Sequence, residues 1–333
     1  MSSPATPRFA VWSAATAAGV VVLIVALLAA GGAPQSTPHG LHGAGLPVSW
    51  AVPVLRLLAD GAAVLAGGAV LTAAWLLPAT DGVLGERALK ACQDAALAAG
   101  VWALASIGGL VATAAVILGV PVAQLGEYAG QAGQLSQVRA LAVAIVLTAV
   151  LAVLVSGVKS LRGARVALVL VGAALVGPLL TGHGASEGTS FWSVTATTSL
   201  VVHVFAATLW VGGLYGVLRY ARETAAVQRF SALALGCAVA IGVTGLLTAE
   251  IHLGGREDGW GLITQWVTTG YGALVFAKAI AYAGLVAIGR QHRRATLPAL
   301  AAGQPGAFRR LAIGELIVMA ATVGLAVALS RTP

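Results

Sequence analysis

Three histidines and one glutamate have the residue types and positions to bind a transition metal. His203 lies inside a long apolar segment, and His183 lies in the TGHG loop before it. Glu250 and His252 stand two residues apart where the next apolar segment ends. Neutral imidazoles with a carboxylate suit Cu(II) or Zn, and imidazole also binds haem iron. We therefore predict a metal site formed by these four residues.

Each of these residues also has a structural interpretation. A histidine inside a membrane helix is a functional candidate by default, but His203 could instead hydrogen-bond to a neighbouring helix. Glu250 and His252 point to different sides of an ideal helix, and both could face water at the membrane interface. The glycines around His183 permit a tight turn that presents a ligand, or an ordinary loop. The residues alone leave these alternatives open.

The segment around His203 carries further candidates. Trp210 follows His203 by seven residues, about two helical turns, so the two share a helical face. Gly212 and Gly216 have the small-xxx-small spacing that lets a neighbouring helix approach closely. We predict that this segment is the functional helix and that the rest of the chain supports it.

A lysine lies inside the eighth apolar segment. Lys278 shares a helical face with Tyr271, seven residues before it, and with Tyr282, four residues after it. A charge at mid-membrane costs about 2.5–3.5 kcal/mol on insertion scales, so Lys278 should have a partner or a water-filled cavity. Asp60 and Glu250 are the candidate partners, and a purely structural ion pair is the alternative.

Two more carboxylates are candidates for intramembrane function. Asp60 is four residues after Arg56 in the second apolar segment, so the two could simply pair with each other. Glu315 opens the last apolar segment and could face a central cavity or extend to the membrane surface. A proton-coupled route through Lys278, Asp60 or Glu315 is conceivable on these positions.

Composition assigns the chain to the polytopic membrane proteins. Of its 333 residues, 59% are hydrophobic and 9% are charged, a balance that no water-soluble fold needs. The net charge of +8 is therefore not a nucleic-acid patch.

The two cysteines, Cys92 and Cys237, exclude a disulfide scaffold and a cysteine zinc cluster. P-loop, HExxH and nucleophile-elbow motifs are absent from the sequence, so nothing suggests ATP-driven pumping or hydrolysis. We expect no enzymatic activity, with a reductase as the alternative.

Windows of about 20 apolar residues predict an all-α bundle of about nine transmembrane spans. We favour a retained first helix over a cleaved signal peptide because its apolar run is long. The predicted parts are a first helix with an outer loop (1–49), a four-helix half (50–181) and a second half with the metal site (182–333). The spans lie at about 9–30, 50–77, 93–119, 138–158, 164–181, 194–218, 230–251, 271–289 and 311–330.

The positive charges predict the orientation. Most of the 19 lysines and arginines lie in or beside loops on one side of these spans, and only Arg139, Arg256 and Arg331 lie in or beside loops on the other. By the positive-inside rule the N-terminus is cytoplasmic and the C-terminus outside. Five of the six histidines then lie on or near the outer side. Only His292 is on the cytoplasmic side.

Several short motifs resemble the bacterial copper resistance D (CopD) family. They are LVVHVFAATLWVGGL with its His, Trp and paired Gly, the GHG loop, the segment TTGYGALVFAKAIAYAGLVAIGRQHRR, and the closing GELIVMAATVGLAVALSRTP. The resemblance is clearest from about Leu180 onward, and earlier residues match mainly in hydropathy. The whole chain also resembles the N-terminal half of actinobacterial proteins that join such a module to a cytochrome oxidase assembly module.

The resemblance implies copper handling at the bacterial cytoplasmic membrane. Import, or delivery toward copper enzymes, is expected, with a periplasmic copper-binding protein and an oxidase assembly module as partners. By position, the residues that match the family are His183, His203, Trp210, Tyr271, Lys278 and Glu315. Two alternatives remain, a haem-binding electron-transfer protein of the cupric reductase type and an assembly factor that transports nothing.

Overall fold

The computed structural model describes residues 8–36, 43–180, 191–221, 223–253 and 261–332. In these ranges the chain is almost wholly helical, and nine helices are long and apolar enough to cross a membrane. Helices suit this environment because every backbone polar group is satisfied within the segment itself. The predicted all-α polytopic bundle of about nine spans is therefore confirmed, whereas the orientation stays a prediction.

The helices follow one another with short connections. Five-residue π-helical turns, Thr72–Leu76 and His292–Thr296, continue α2 and α10. In chain order the helices are α1 (Arg8–Ala29), α2 (Leu46–Leu71), α3 (Glu86–Leu118), α4 (Ala129–Ala132), α5 (Ser136–Ser156), α6 (Leu161–Leu179), α7 (Phe191–Tyr220), α8 (Thr224–Leu253), α9 (Gly261–Thr268), α10 (Gly270–Gln291), α11 (Leu297–Ala301) and α12 (Pro305–Leu329).

A small hairpin joins two loops on the predicted cytoplasmic side. Strands β1 (Ala79–Thr80) and β2 (Val83–Leu84) pair antiparallel across Asp81 and Gly82, both of which have positive φ. The Leu84 amide also donates to the Lys159 carbonyl in the α5–α6 connection. The hairpin thus ties the α2–α3 and α5–α6 connections together at one end of the bundle.

By their contacts the residues form two compact units. One contains residues 1–33 and 260–333, in which α1 packs along α12 and α10 packs against α9 and α12. The other contains residues 34–259, in which α2 packs against α3, α6 and α7, and α7 packs against α8. This division differs from the predicted parts 1–49, 50–181 and 182–333, which stay a prediction.

Glycines bring α2 and α7 into direct backbone contact. A Cβ atom built on Gly212 would lie 2.8 Å from the Gly68 Cα, and one on Gly216 would overlap the Thr72 hydroxyl. The prediction that Gly212 and Gly216 admit a close neighbour is confirmed, and that neighbour is α2. This crossing fixes the position of α7, the helix that carries His203.

Ionic contacts hold α7 at its other end. Asp94 on α3 accepts hydrogen bonds from Arg219 Nη2 and from the Tyr220 hydroxyl, both at 2.9 Å. Arg87 on α3 pairs with Glu223, with Nη1 and Oε2 3.1 Å apart. These contacts join the end of α7 and the start of α8 to α3 at the predicted cytoplasmic side.

Candidate functional site

His203 contacts α8 through its Nδ1 atom. This nitrogen lies 3.0 Å from the Thr244 hydroxyl oxygen, and that hydroxyl donates its hydrogen to the Ala240 carbonyl at 2.6 Å. Because a hydroxyl has a single hydrogen, Thr244 must accept from an Nδ1–H group. The neutral imidazole therefore carries its proton on Nδ1 and its lone pair on Nε2, the form in which Nε2 can bind a metal.

Further hydroxyls continue this contact toward the predicted outer side. Ser199, one helical turn before His203, donates to the Thr244 carbonyl at 3.2 Å and lies 3.4 Å from the Thr248 hydroxyl. Ser199 and Thr244 are buried, with 5% and 8% of their surface exposed. We call Ser199, His203, Thr244 and Thr248 the polar seam, which runs between α7 and α8.

The two sides of α7 have separate roles. Gly212 follows His203 by nine residues, which places it about half a turn round the helix, on the side that contacts α2. Trp210 follows His203 by seven residues and therefore shares the histidine's face, where its side chain is buried. One side of α7 thus packs against α2, and the opposite side places His203 against α8.

The predicted metal ligands are only partly placed. His183 and the side chain of His252 lie outside the described residues. In backbone position, His252 is the next four-residue step of α8 after Thr244 and Thr248. Among the described residues, no group of three His, Cys, Asp or Glu side chains comes together. The predicted set of four ligands therefore stays a prediction.

Glu250 lies on a different side of α8 from the polar seam. It follows Val243 by seven residues and Leu246 by four, and these two side chains are 61% and 68% exposed. Thr244, six residues before Glu250, is buried against α7 instead. Because α8 is helical throughout this stretch, the Glu250 carboxylate points away from the side of α8 that contacts His203.

The other intramembrane candidates lie on α2, α10 and α12. Asp60 pairs with Arg56 on α2, with Oδ1 3.0 Å from Nε, so the interpretation that these two pair with each other is confirmed. Tyr271 and Lys278 lie on α10 and Glu315 lies on α12, all in the unit that contains residues 260–333. A shared role for Lys278 and Asp60 stays a prediction.

Sequence reasoning did not find the hydroxyl partners of His203. Ser199, Thr244 and Thr248 are ordinary residues in apolar helices, and the spacing of His203 does not say which helix it faces. A four-residue spacing of polar residues on both segments was the available signal, Ser199 with His203 and Thr244 with Thr248. The spacing indicates a contact only once α7 is known to pack against α8.

Two family descriptions match this chain. Residues 47–192 match the copper resistance protein D-like N-terminal domain, and residues 224–329 match copper resistance protein D. Most of α7, including His203 and Trp210, lies between the two matched ranges. No curated protein and no solved structure matches the chain. With its nine apolar helices, the chain is a multi-pass membrane protein that belongs to the copper resistance protein D family.

Proposed function

We propose that this chain moves or delivers copper across the bacterial cytoplasmic membrane through an outward-facing site centred on His203. The observation that carries the proposal is the contact between His203 Nδ1 and the Thr244 hydroxyl. Metal-binding histidines commonly donate their second ring N–H to such a partner, which fixes the tautomer and the ring orientation. Copper is the cargo here, not a resident cofactor.

The donor chemistry fits copper. A neutral imidazole binds copper through the nitrogen that holds the lone pair, and in His203 that nitrogen is Nε2. A single histidine is not a complete site, so we propose that His183 and His252 supply further ligands. The family membership supports copper as the metal.

The arrangement of α7 supports an outward-facing site. The polar seam continues from His203 through Ser199 and Thr248 toward the predicted outer ends of α7 and α8. At the opposite end, Asp94 binds Arg219 and Tyr220 and ties α7 to α3. Polar groups thus approach His203 from the predicted outer side, while the predicted inner ends of the helices are held together.

The proposal includes partners but no catalysis. A periplasmic copper-binding protein would supply or receive the ion at the outer side, and a cytochrome oxidase assembly module would use it. A haem-binding reductase would instead require two axial ligands facing each other. In the helical segments that the structure describes with side chains, each unit contains one histidine, His203 in one and His292 in the other, so no two of them face each other within a unit.

Copper accumulation in cells tests the transport role. Cells producing wild-type protein, His203→Ala or Thr198→Ala would be loaded with copper, and the metal retained would be measured per amount of membrane-inserted protein. Thr198 is an exposed residue on the same helix and serves as the matched control. We expect His203→Ala to remove the protein-dependent change in copper and Thr198→Ala to retain it. Equal copper with all three proteins would contradict the proposal.

A further inference from the structure

A second polar cluster lies where α10 passes into its π-helical turn. His292 and Glu315 are both buried, with 8% and 3% of their surface exposed. The hydropathy of the sequence predicts that the eighth span ends near residue 289 and leaves His292 in a cytoplasmic connection. The helical backbone instead continues through Thr296, which places the His292 ring 5.1 Å from the Phe308 ring of α12. Single π-helical turns occur frequently at functional sites.

Both ring nitrogens of His292 have a polar neighbour. Nδ1 lies 2.7 Å from the Thr296 hydroxyl oxygen, and that hydroxyl lies 3.2 Å from the His292 carbonyl oxygen. Nε2 lies 3.2 Å from Oε2 of Glu315. This second contact is not a well-directed hydrogen bond, because the buried Nε2 has no acceptor along its N–H direction.

The contacts of His292 suit a ring that carries a proton on each nitrogen. With Thr296 donating to the His292 carbonyl, its oxygen can accept from Nδ1–H. A second proton on Nε2 makes the ring an imidazolium, and its charge then lies beside the Glu315 carboxylate. The pair is neutral overall in this form.

We propose that His292 and Glu315 form a proton-binding site of this protein. In the loaded state, with the proton bound, the His292–Glu315 pair is neutral overall and the Thr296 hydroxyl oxygen accepts from Nδ1–H. When the proton on Nδ1 passes to water, Thr296 turns its hydroxyl hydrogen from the His292 carbonyl to Nδ1. The imidazole is then neutral, keeps its proton on Nε2 toward Glu315, and leaves one negative charge on the pair.

The other charged residues at this end of the helices are arginines. Five of them lie on α10, the π-helical turn and α12, and all five are exposed. The short helix α11 has no titratable residue, and α10 carries Tyr282 and Lys278 farther along. These arginines are Arg290, Arg293, Arg294, Arg309 and Arg310.

A proton suits this site better than a metal ion. Structural metal sites normally use four protein ligands, and catalytic zinc sites use three. The described residues contain no group of three His, Cys, Asp or Glu side chains, so His292 and Glu315 have no third partner of that kind among them. The proposal is independent of copper binding at His203, which lies in the other unit.

Histidine NMR on the full chain in lipid nanodiscs tests the site without copper. The protein would carry ¹⁵N-labelled histidine, the His292 signal would be assigned from its loss in His292→Gln, and the ring would be followed from about pH 8 to about pH 5. We expect His292 to pass from one protonated ring nitrogen to two. In Glu315→Gln this change should be lost from the same pH window.

Glu127→Gln is the matched control, because Glu127 is an exposed carboxylate in the other unit. It should leave the His292 titration as in wild type. A wild-type His292 that keeps one protonation state throughout would overturn the proposal, even if Glu315→Gln cannot be purified. Identical His292 titrations in wild type and Glu315→Gln would overturn it as well.

Discussion

His203 and Thr244 meet across the interface of α7 and α8, with the imidazole Nδ1 3.0 Å from the threonine hydroxyl oxygen. The same hydroxyl donates its hydrogen to the Ala240 carbonyl. A single hydroxyl on α8 therefore decides which nitrogen of His203 can bind a metal.

Thr244→Val should weaken copper binding while leaving the fold intact. Valine has nearly the shape of threonine but cannot accept from Nδ1–H, so the ring loses the partner that orients it. Loss of such a partner typically lowers metal affinity about 10- to 100-fold. Titration against a copper chelator measures the change, and Thr244→Ser, which keeps the hydroxyl, should stay near the wild-type affinity. Equal weakening by both variants would refute the orienting role.

Glu250→Gln should have little effect on copper affinity. Glu250 shares its side of α8 with the exposed Val243 and Leu246, away from the polar seam. The same chelator titration compares it with His203→Ala, for which we expect loss of binding. A loss in Glu250→Gln as large as that in His203→Ala would show that the end of α8 brings the carboxylate to the metal.

Gly212→Ala should destabilise the protein. The added methyl group would lie 2.8 Å from the Gly68 Cα, and forcing an atom into packed space costs about 1–3 kcal/mol. Thermal unfolding in detergent, followed by tryptophan fluorescence, measures the effect. Gly236→Ala is the control, since a Cβ there meets nothing within 4 Å and alanine favours the helix by about 1 kcal/mol. We expect a lower melting temperature only for Gly212→Ala.

Asp94→Asn should loosen the end of α7 at the predicted cytoplasmic side. The carboxylate binds Arg219 and Tyr220, and a hydrogen bond to a charged group contributes about 1.5–3 kcal/mol. Amide hydrogen exchange in the last turn of α7 measures the opening, and we expect it to become about tenfold faster in Asp94→Asn. The substitution Asp81→Asn changes an exposed carboxylate and should leave this exchange rate unchanged. An unchanged rate in Asp94→Asn would contradict the prediction.

Hydropathy predicts the helices of this protein well because the membrane imposes a length of apolar sequence on each span. It places their ends less well. α3 begins at Glu86 and α12 at Pro305, whereas the apolar windows begin near residues 93 and 311. Backbone hydrogen bonding continues into the aqueous boundary, where side-chain polarity is not constrained, so charged first turns are missed.

The candidate site is less predictable than the fold. A histidine inside a membrane span marks His203 from the sequence alone, but its partner depends on which helix lies beside α7. The same holds for His292 and Glu315, which are 23 residues apart in the sequence and which no sequence pattern links. Their contact arises because the helix continues past the end of the apolar run and buries His292.

The most direct test of the central claim is the metal content and optical spectrum of detergent-purified protein, with wild type beside His203→Ala. The account predicts copper bound by the wild type, copper lost in the variant, and no Soret band in either. A haem spectrum that disappears in His203→Ala would contradict it and favour the reductase. Equal copper in both proteins, or no copper in either, would contradict the proposal that the copper site is centred on His203.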